Sequence, residues 1–296
     1  MKKIKILKNW IRVNRDFIVT LFESRKKHNL INKIDVETLY EKVHNDSKPC
    51  FVLSTGRCGT ELLTQIFNNS PNLKAYHKPK PELIYYSKIA YEYNKFSPEK
   101  AKNLEKVIDC SRYDYIRDAY LLEKKYVETN NCITFFAYQL ANLYPQSTFI
   151  HLVRHPIKFI NSGLPRKWYT GHNSHDEGRI KSKNINFWKS LNREEKIAWQ
   201  WVKTHNFITK FKQSIDKTRV LTIKSENLFK YPKTTQDIFN FLNLPSPSSK
   251  KLRNKIKKPI NSQKKNRKAL KIDFDELKWK DLKEIMDKFD YQLQLQ

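Results

Sequence analysis

The stretch from Pro49 to Pro71 constrains this chain most, because it passes from an apolar run through a glycine-containing turn directly into a helical pattern. Cys50-Phe51-Val52-Leu53-Ser54 shows no apolar–polar alternation before Ser54, as expected of a strand buried on both faces of a parallel sheet. Thr55-Gly56 breaks the run. Leu62, Leu63, Ile66 and Phe67 then recur at helical spacing, and Asn68-Asn69-Ser70-Pro71 stops the helix. Strand, turn, helix is the opening of a βα unit, and a parallel sheet needs several such units.

The rest of the chain supplies them. Leu73 to His77 predicts a second strand and Lys106 to Cys110 a third. Phe135 to Tyr144 reads as a helix ending at Pro145. Ser147 to Val153 is a strand followed by Arg154-His155-Pro156, with Pro156 opening a helix. Residues 192–213 form a long amphipathic helix, Arg219 to Ile223 a strand, Pro232 to Leu242 a helix, and Glu276 to Phe289 a last helix. The expected fold is α/β: three layers, P-loop-like, with a central, mainly parallel sheet flanked by helices. Residues 1–48 read as a basic helical extension and 49–296 as the α/β domain. Residues 246–268 read as a basic, lysine-rich loop. In such folds ligands sit at the carboxyl ends of the strands.

At 296 residues with 39% hydrophobic content, the chain can bury a sizeable core. Lys and Arg number 58 against 30 Asp and Glu, a net charge of +28. This field favours anionic partners, although the low glycine count of 5 and heavy Lys and Asn use point equally to compositional bias. Cys50, Cys58, Cys110 and Cys132 show neither a C-x-x-C pair nor zinc-ligand spacing. Cys50, Cys110 and Cys132 are expected as buried thiols in a reducing cytoplasm. The apolar stretch Phe17 to Phe22 is too short to span a bilayer. The basic N-terminus reads first as an amphipathic helix packed on the body and second as a peripheral membrane contact.

Two segments carry chemistry. Ser54-Thr55-Gly56-Arg57-Cys58-Gly59-Thr60-Glu61 joins strand to helix, where backbone N–H groups and a helix N-terminus can face an anion. Gly56 and Gly59 allow close approach, Thr60 is placed to cap the helix, and Arg57 adds a planar cation. The turn lacks the Lys of G-x-x-x-x-G-K-[ST], which argues against a magnesium-dependent kinase or hydrolase. The second segment is Arg154-His155-Pro156 with Ser162 and Arg166 on or beyond the next helix, one turn apart.

Ser54 to Thr60 resembles the 5'-phosphosulfate loop of sulfotransferases that use 3'-phosphoadenosine 5'-phosphosulfate (PAPS). Arg154, Pro156 and Ser162 match the 3'-phosphate motif of that superfamily at its spacing, and Arg166 follows Ser162 as in its carbohydrate and tyrosylprotein branches. Val220 to Leu228 is similar to its strand–Glu–x–Leu segment. The Gly-x-x-Gly-Asp-Trp-Lys segment of the cytosolic small-molecule branch is missing, which points to the bacterial or carbohydrate-type branches.

The resemblance implies PAPS as co-substrate, no metal, and transfer of a sulfuryl group to a hydroxyl or amine. Arg57 would neutralise developing charge, backbone N–H groups from Cys58 to Glu61 would hold the 5'-phosphate, and Arg154, Ser162 and Arg166 the 3'-phosphate. Glu61 stands where many members have Thr or Ser and is expected to turn away from the phosphate. The base is His77, with Glu82 as second choice; the branch that places Glu one position later has Lys78 here. Cys58, beside Arg57 at a helix N-terminus, reads as a small spacer rather than a reactive thiol. His172 and His175 read as part of an acceptor-binding or surface loop rather than a metal pair. The acceptor is a small molecule, lipid or glycan, with an anionic one favoured by Arg166, Lys167, Arg179 and Lys181. Alternatives are a P-loop-type kinase or hydrolase, a silent relative that only binds nucleotide, or a nucleic-acid-binding protein. Nothing resembling an ordered aromatic platform or helix-turn-helix supports the last.

Overall fold

A computed structural model describes residues 18–248 and 279–292. In chain order the described helices and strands are α1 (residues 18–31), α2 (Val36–Asp46), β1 (Cys50–Leu53), α3 (Thr60–Phe67) and β2 (Leu73–Tyr76). Next come α4 (Ile84–Phe96), α5 (Pro98–Ala101), α6 (Asn103–Leu121), β3 (Lys125–Glu128), α7 (Ala137–Leu143) and β4 (Thr148–Val153). The chain continues through α8 (Pro156–Gly163), α9 (Ile185–Ser190), α10 (Arg193–Gln213), β5 (Val220–Lys224), α11 (Ser225–Lys230), α12 (Pro232–Phe241) and α13 (Lys280–Lys288). The basic segment at 246–268 lies almost wholly outside the described residues, as does the start of the last predicted helix.

The five strands form one parallel sheet in the order β2-β3-β1-β4-β5. All four residues of β1 are buried, which is why its sequence carries no alternation. After β1 the chain crosses to the far edge for β2 and returns to β3. It then passes to the other side of β1 for β4. The strand order therefore reverses at the carboxyl end of β1. There the connections from neighbouring strands diverge to opposite faces and open a crevice. The turn after β1 lies at that point.

One apolar layer packs α4, α6, α7 and α10 against Phe51, Leu53 and Phe149, and includes Leu39 and Val43 of α2. The opposite layer packs α3 and α12 against Val52, Ile150 and Leu152. α8, α10 and α13 form a third cluster around Val153. Tyr40 and His44 of α2 both bond the Asp109 carboxylate, at 2.6 and 2.8 Å, which ties α2 to α6.

Two expectations need correction. Lys106 to Cys110 is not a strand but part of α6, with Leu104 and Ile108 facing the core one turn apart. The third strand is Lys125–Glu128. The segment expected as one helix from Phe135 begins as a 3-10 helix, Asn131–Phe136, and continues as α7.

Candidate active site

The turn after β1 enters the left-handed region at three positions. Gly56, Arg57 and Gly59 have φ of 78°, 58° and 90°, and Cys58 between them does not. Residues of opposite hand in succession curl their N–H groups toward a common point. Gly59, not Thr60, occupies the cap position of α3, and no side chain caps that helix. The expected Thr60 cap is thus absent. Gly59 is required twice over: a Cβ there would stand 2.7 Å from the ring of Phe229.

Carbonyls of the turn are held from behind. Arg154 donates to the Arg57 carbonyl and Ser225 Oγ donates to the Cys58 carbonyl at 2.7 Å. The residues that follow β4 and β5 thus engage the carbonyls of Arg57 and Cys58. Glu226 accepts from the His155 N–H at 3.2 Å and from Tyr291 at 2.8 Å, fixing the loop after β4.

The two sequence segments meet. Arg57 Nε donates to Ser162 Oγ at 3.2 Å, and Arg166 Nη1 donates to the same oxygen at 3.2 Å. Both lone pairs of Ser162 are engaged, so its O–H remains to donate to an anion. Burial pushes the Arg57 guanidinium down to about 10, and the charges of Arg166 and Arg154 push the same way. Three guanidinium groups held this close is a charge arrangement that an anion would relieve.

Arg57, Thr60, His77 and Arg166 line one cavity of about 270 Å³, with Phe135, Trp168, Asn173, Arg179 and Gln200 around its remaining wall. Arg179 stacks over Trp168 at 3.7 Å and pairs with Asp176 at 2.9 Å. Gly178 allows the segment after Asn173 to close against α4, because a Cβ there would collide with the Ile84 carbonyl.

His77 is half-buried beyond β2. Its Nδ1 lies 2.9 Å from Thr129 Oγ1, which lies 2.6 Å from Thr64 Oγ1, which donates to the Thr60 carbonyl at 3.0 Å. That carbonyl can only accept. With the Thr64 proton directed there, Thr129 donates to Thr64 and accepts from His77. Only this direction satisfies all three bonds, so Nδ1 carries the proton and Nε2 keeps its lone pair. Burial lowers the His77 pKa, with Lys78 and Arg57 also lowering it and Glu61 opposing them.

The other predicted residues take different places. Cys58 is wholly buried and burial raises its thiol pKa, so the helix N-terminus and Arg57 do not activate it. Cys110 is exposed rather than buried. Glu61 is half-buried, and its charge acts on both Arg57 and His77. Glu82 pairs with Lys80 at 2.9 Å and Lys78 at 3.5 Å, and Lys80 above all lowers its pKa. His175 stands 3.7 Å from Glu82 and lines the cavity, whereas His172 is exposed. No cluster suited to a metal occurs among the described residues.

Sequence reasoning missed Thr129, Ser225 and Phe229. Ser225 and Phe229 follow β5 inside a segment already recognisable by its strand–Glu–x–Leu pattern, so a hydroxyl and an aromatic there were readable. Thr129 was not, because its strand was misplaced.

Fold and site together define a P-loop-like α/β protein with a cationic cluster at its topological switch point. Residues 49–248 match the model of the sulfotransferase family, and the chain belongs to that family. Its fold is shared by the sulfotransferase domain from the curacin biosynthetic pathway, at 18% identity and TM-score 0.53, covering 84% of this chain and 99% of that one. It is also shared by the sulfotransferase domain of the Synechococcus PCC 7002 olefin synthase, at 17% identity and TM-score 0.52, covering 84% and 97%. Sulfotransferase STF9 from Mycobacterium avium matches at 11% identity and TM-score 0.52, covering 92% and 83%. No curated protein sequence matches the chain.

Proposed function

We propose that this protein transfers a sulfuryl group from PAPS to a hydroxyl or amine of a small-molecule, lipid or glycan acceptor. The observation that carries this reading is the convergence of Arg57, Arg154, Ser162 and Arg166 at the ends of β1 and β4, beside a cavity that His77 also lines. PAPS, when bound, supplies an activated sulfuryl group and an adenosine bisphosphate leaving group.

N–H groups from Cys58 to Glu61 hold the 5'-phosphate, and Arg154, Ser162 and Arg166 the 3'-phosphate. Arg57, next to both, offsets charge that develops on the leaving oxygen. Phe229 is 41% exposed with its ring against Gly59, so a base can stack on it beside the turn. His77 Nε2 takes the acceptor proton. Glu82, ion-paired with two lysines, is the weaker candidate. Lys78, His175 and Arg179 around the cavity favour an anionic acceptor. No metal is required. Four unpaired cysteines suit a cytoplasmic setting, and no described helix is long and apolar enough to cross a membrane.

The test is transfer of ³⁵S from labelled PAPS to a panel of glycans, lipids and anionic metabolites, with calorimetric titration of adenosine 3',5'-bisphosphate alongside. Arg57→Ala is expected to abolish transfer while leaving the fold intact. Wild-type transfer by that variant, or absence of nucleotide binding by the wild-type protein, would reject the proposal.

A further inference from the structure

The first turns of α1 set charge against the body and apolar side chains outward. Glu23 pairs with Lys74 at 3.1 Å and Lys124 at 2.6 Å, Lys26 with Glu123 at 3.3 Å, and Lys27 with Asp118 at 2.5 Å. Leu30 and Ile31 at the end of the helix pack on the core, whereas Ile18 is 49% exposed, Val19 47%, Leu21 40% and Phe22 66%. At helical spacing these four fall within an arc of about 160°, and Arg25 projects on the same side one turn later. Elsewhere among the described residues, exposed large apolar side chains come singly or in pairs. Such scatter needs no explanation, whereas a contiguous patch on a helix anchored by ion pairs does.

We propose that this face of α1 docks on an anionic phospholipid bilayer. The choice of occupant rests on charge. Residues 1–17 carry six Lys or Arg and one acidic residue, and the whole chain is +28. A second copy on this face would bring two strongly positive bodies together. Nucleic acid would satisfy the charge and leave the apolar patch in water. An anionic bilayer satisfies both, taking Ile18, Val19, Leu21 and Phe22 into its interface while its headgroups attract the surrounding cations.

The test is co-sedimentation of the full-length protein with phosphatidylcholine vesicles, with and without phosphatidylglycerol. Binding is expected to be at least ~10-fold stronger on the anionic vesicles and to weaken with added salt, because the attraction of exposed charges is screened. Ile18→Ser with Phe22→Ser is expected to lower vesicle affinity at least ~10-fold through lost apolar burial. Both positions are exposed, and unchanged circular dichroism and Tm would show the fold retained. No binding, equal binding to neutral and anionic vesicles, or wild-type binding by the double variant would overturn the proposal. So would a sedimentation-velocity dimer that the double variant dissolves, since the face would then belong to a second copy. A double variant with altered folding stability and no gain in solubility would show that the chain itself covers the face, which also overturns it.

Discussion

Replacing Thr129 with valine tests the wiring behind His77. The side chains are nearly the same shape, and Thr129 is fully buried, so the change removes little except a hydroxyl. That hydroxyl holds His77 Nδ1 at 2.9 Å and Thr64 at 2.6 Å. Each such bond has a net value of about 0.5–1.5 kcal/mol. The one to His77 separates the two ring tautomers, so the preference for a protonated Nδ1 amounts to roughly 1 kcal/mol, about fivefold. Without it the ring populates the form with a protonated Nε2, which cannot accept a proton from a substrate. Transfer by Thr129→Val should therefore slow by up to about fivefold, short of the ~10²–10⁴-fold loss that removal of a general base brings in His77→Ala. Thr129→Ser keeps the hydroxyl and should keep most of the rate. The direct assay is the imidazole ¹⁵N spectrum at neutral pH, where a pyrrole-type Nδ1 and a pyridine-type Nε2 are expected. Burial holds the His77 pKa below its ordinary 6.5, so kcat/KM should stay level above neutrality and fall only as pH drops below that value. A pyrrole-type Nε2 in the wild-type spectrum, or equal rates for the valine and serine variants, would refute the reasoning.

Gly59→Ala should destabilise the protein by about 1–2 kcal/mol for the left-handed backbone alone, with displacement of Phe229 added; an unchanged Tm would contradict this. Arg112 and Glu128 are both fully buried and joined by bonds of 2.7 and 2.9 Å. Arg112→Met strands the Glu128 carboxylate and frees the Pro81 carbonyl, so denaturant unfolding should show a loss of about 3–5 kcal/mol. His151 and His205 share a 2.8 Å contact and are fully buried. Burial lowers both pKa values, that of His205 to about 3. Between that value and 6.5 the unfolded chain binds more protons than the folded one. Stability is thus full above 6.5 and falls with decreasing pH, by up to about 1.4 kcal/mol per unit for each ring. Thermal unfolding across this range reads the slope, and a flat profile would count against a neutral buried pair.

β1 and α3 were legible because their burial patterns differ in period: unbroken in one, helical in the other. β4 was legible for the same reason. β3 was hidden by its polarity. Lys125-Tyr126-Val127-Glu128 does not look like an inner strand, and Glu128 is tolerated there only because Arg112, sixteen positions earlier in α6, neutralises it. The apolar run at Lys106 to Cys110 looked like the missing strand, since five residues cannot distinguish a strand from one face of a helix. Losing β3 also hid Thr129. The cationic residues were readable because their types and spacing carry the signal locally. The shared hold of Arg57 and Arg166 on Ser162 was not, because it depends on how β1 and β4 come to lie side by side.

The grip of Ser225 on Cys58, together with that of Arg154 on Arg57, has a thermodynamic consequence. The curled turn is complete only while three strand ends stay assembled, so a phosphate-bearing ligand seated in it, as proposed, would select the assembled sheet over partly opened forms. Occupancy is thereby coupled to cohesion of the domain: at a concentration one hundred times its Kd, a ligand adds about 2.7 kcal/mol against unfolding. Amide protons at the edge strand β5, well away from the ligand itself, would then exchange with solvent more slowly.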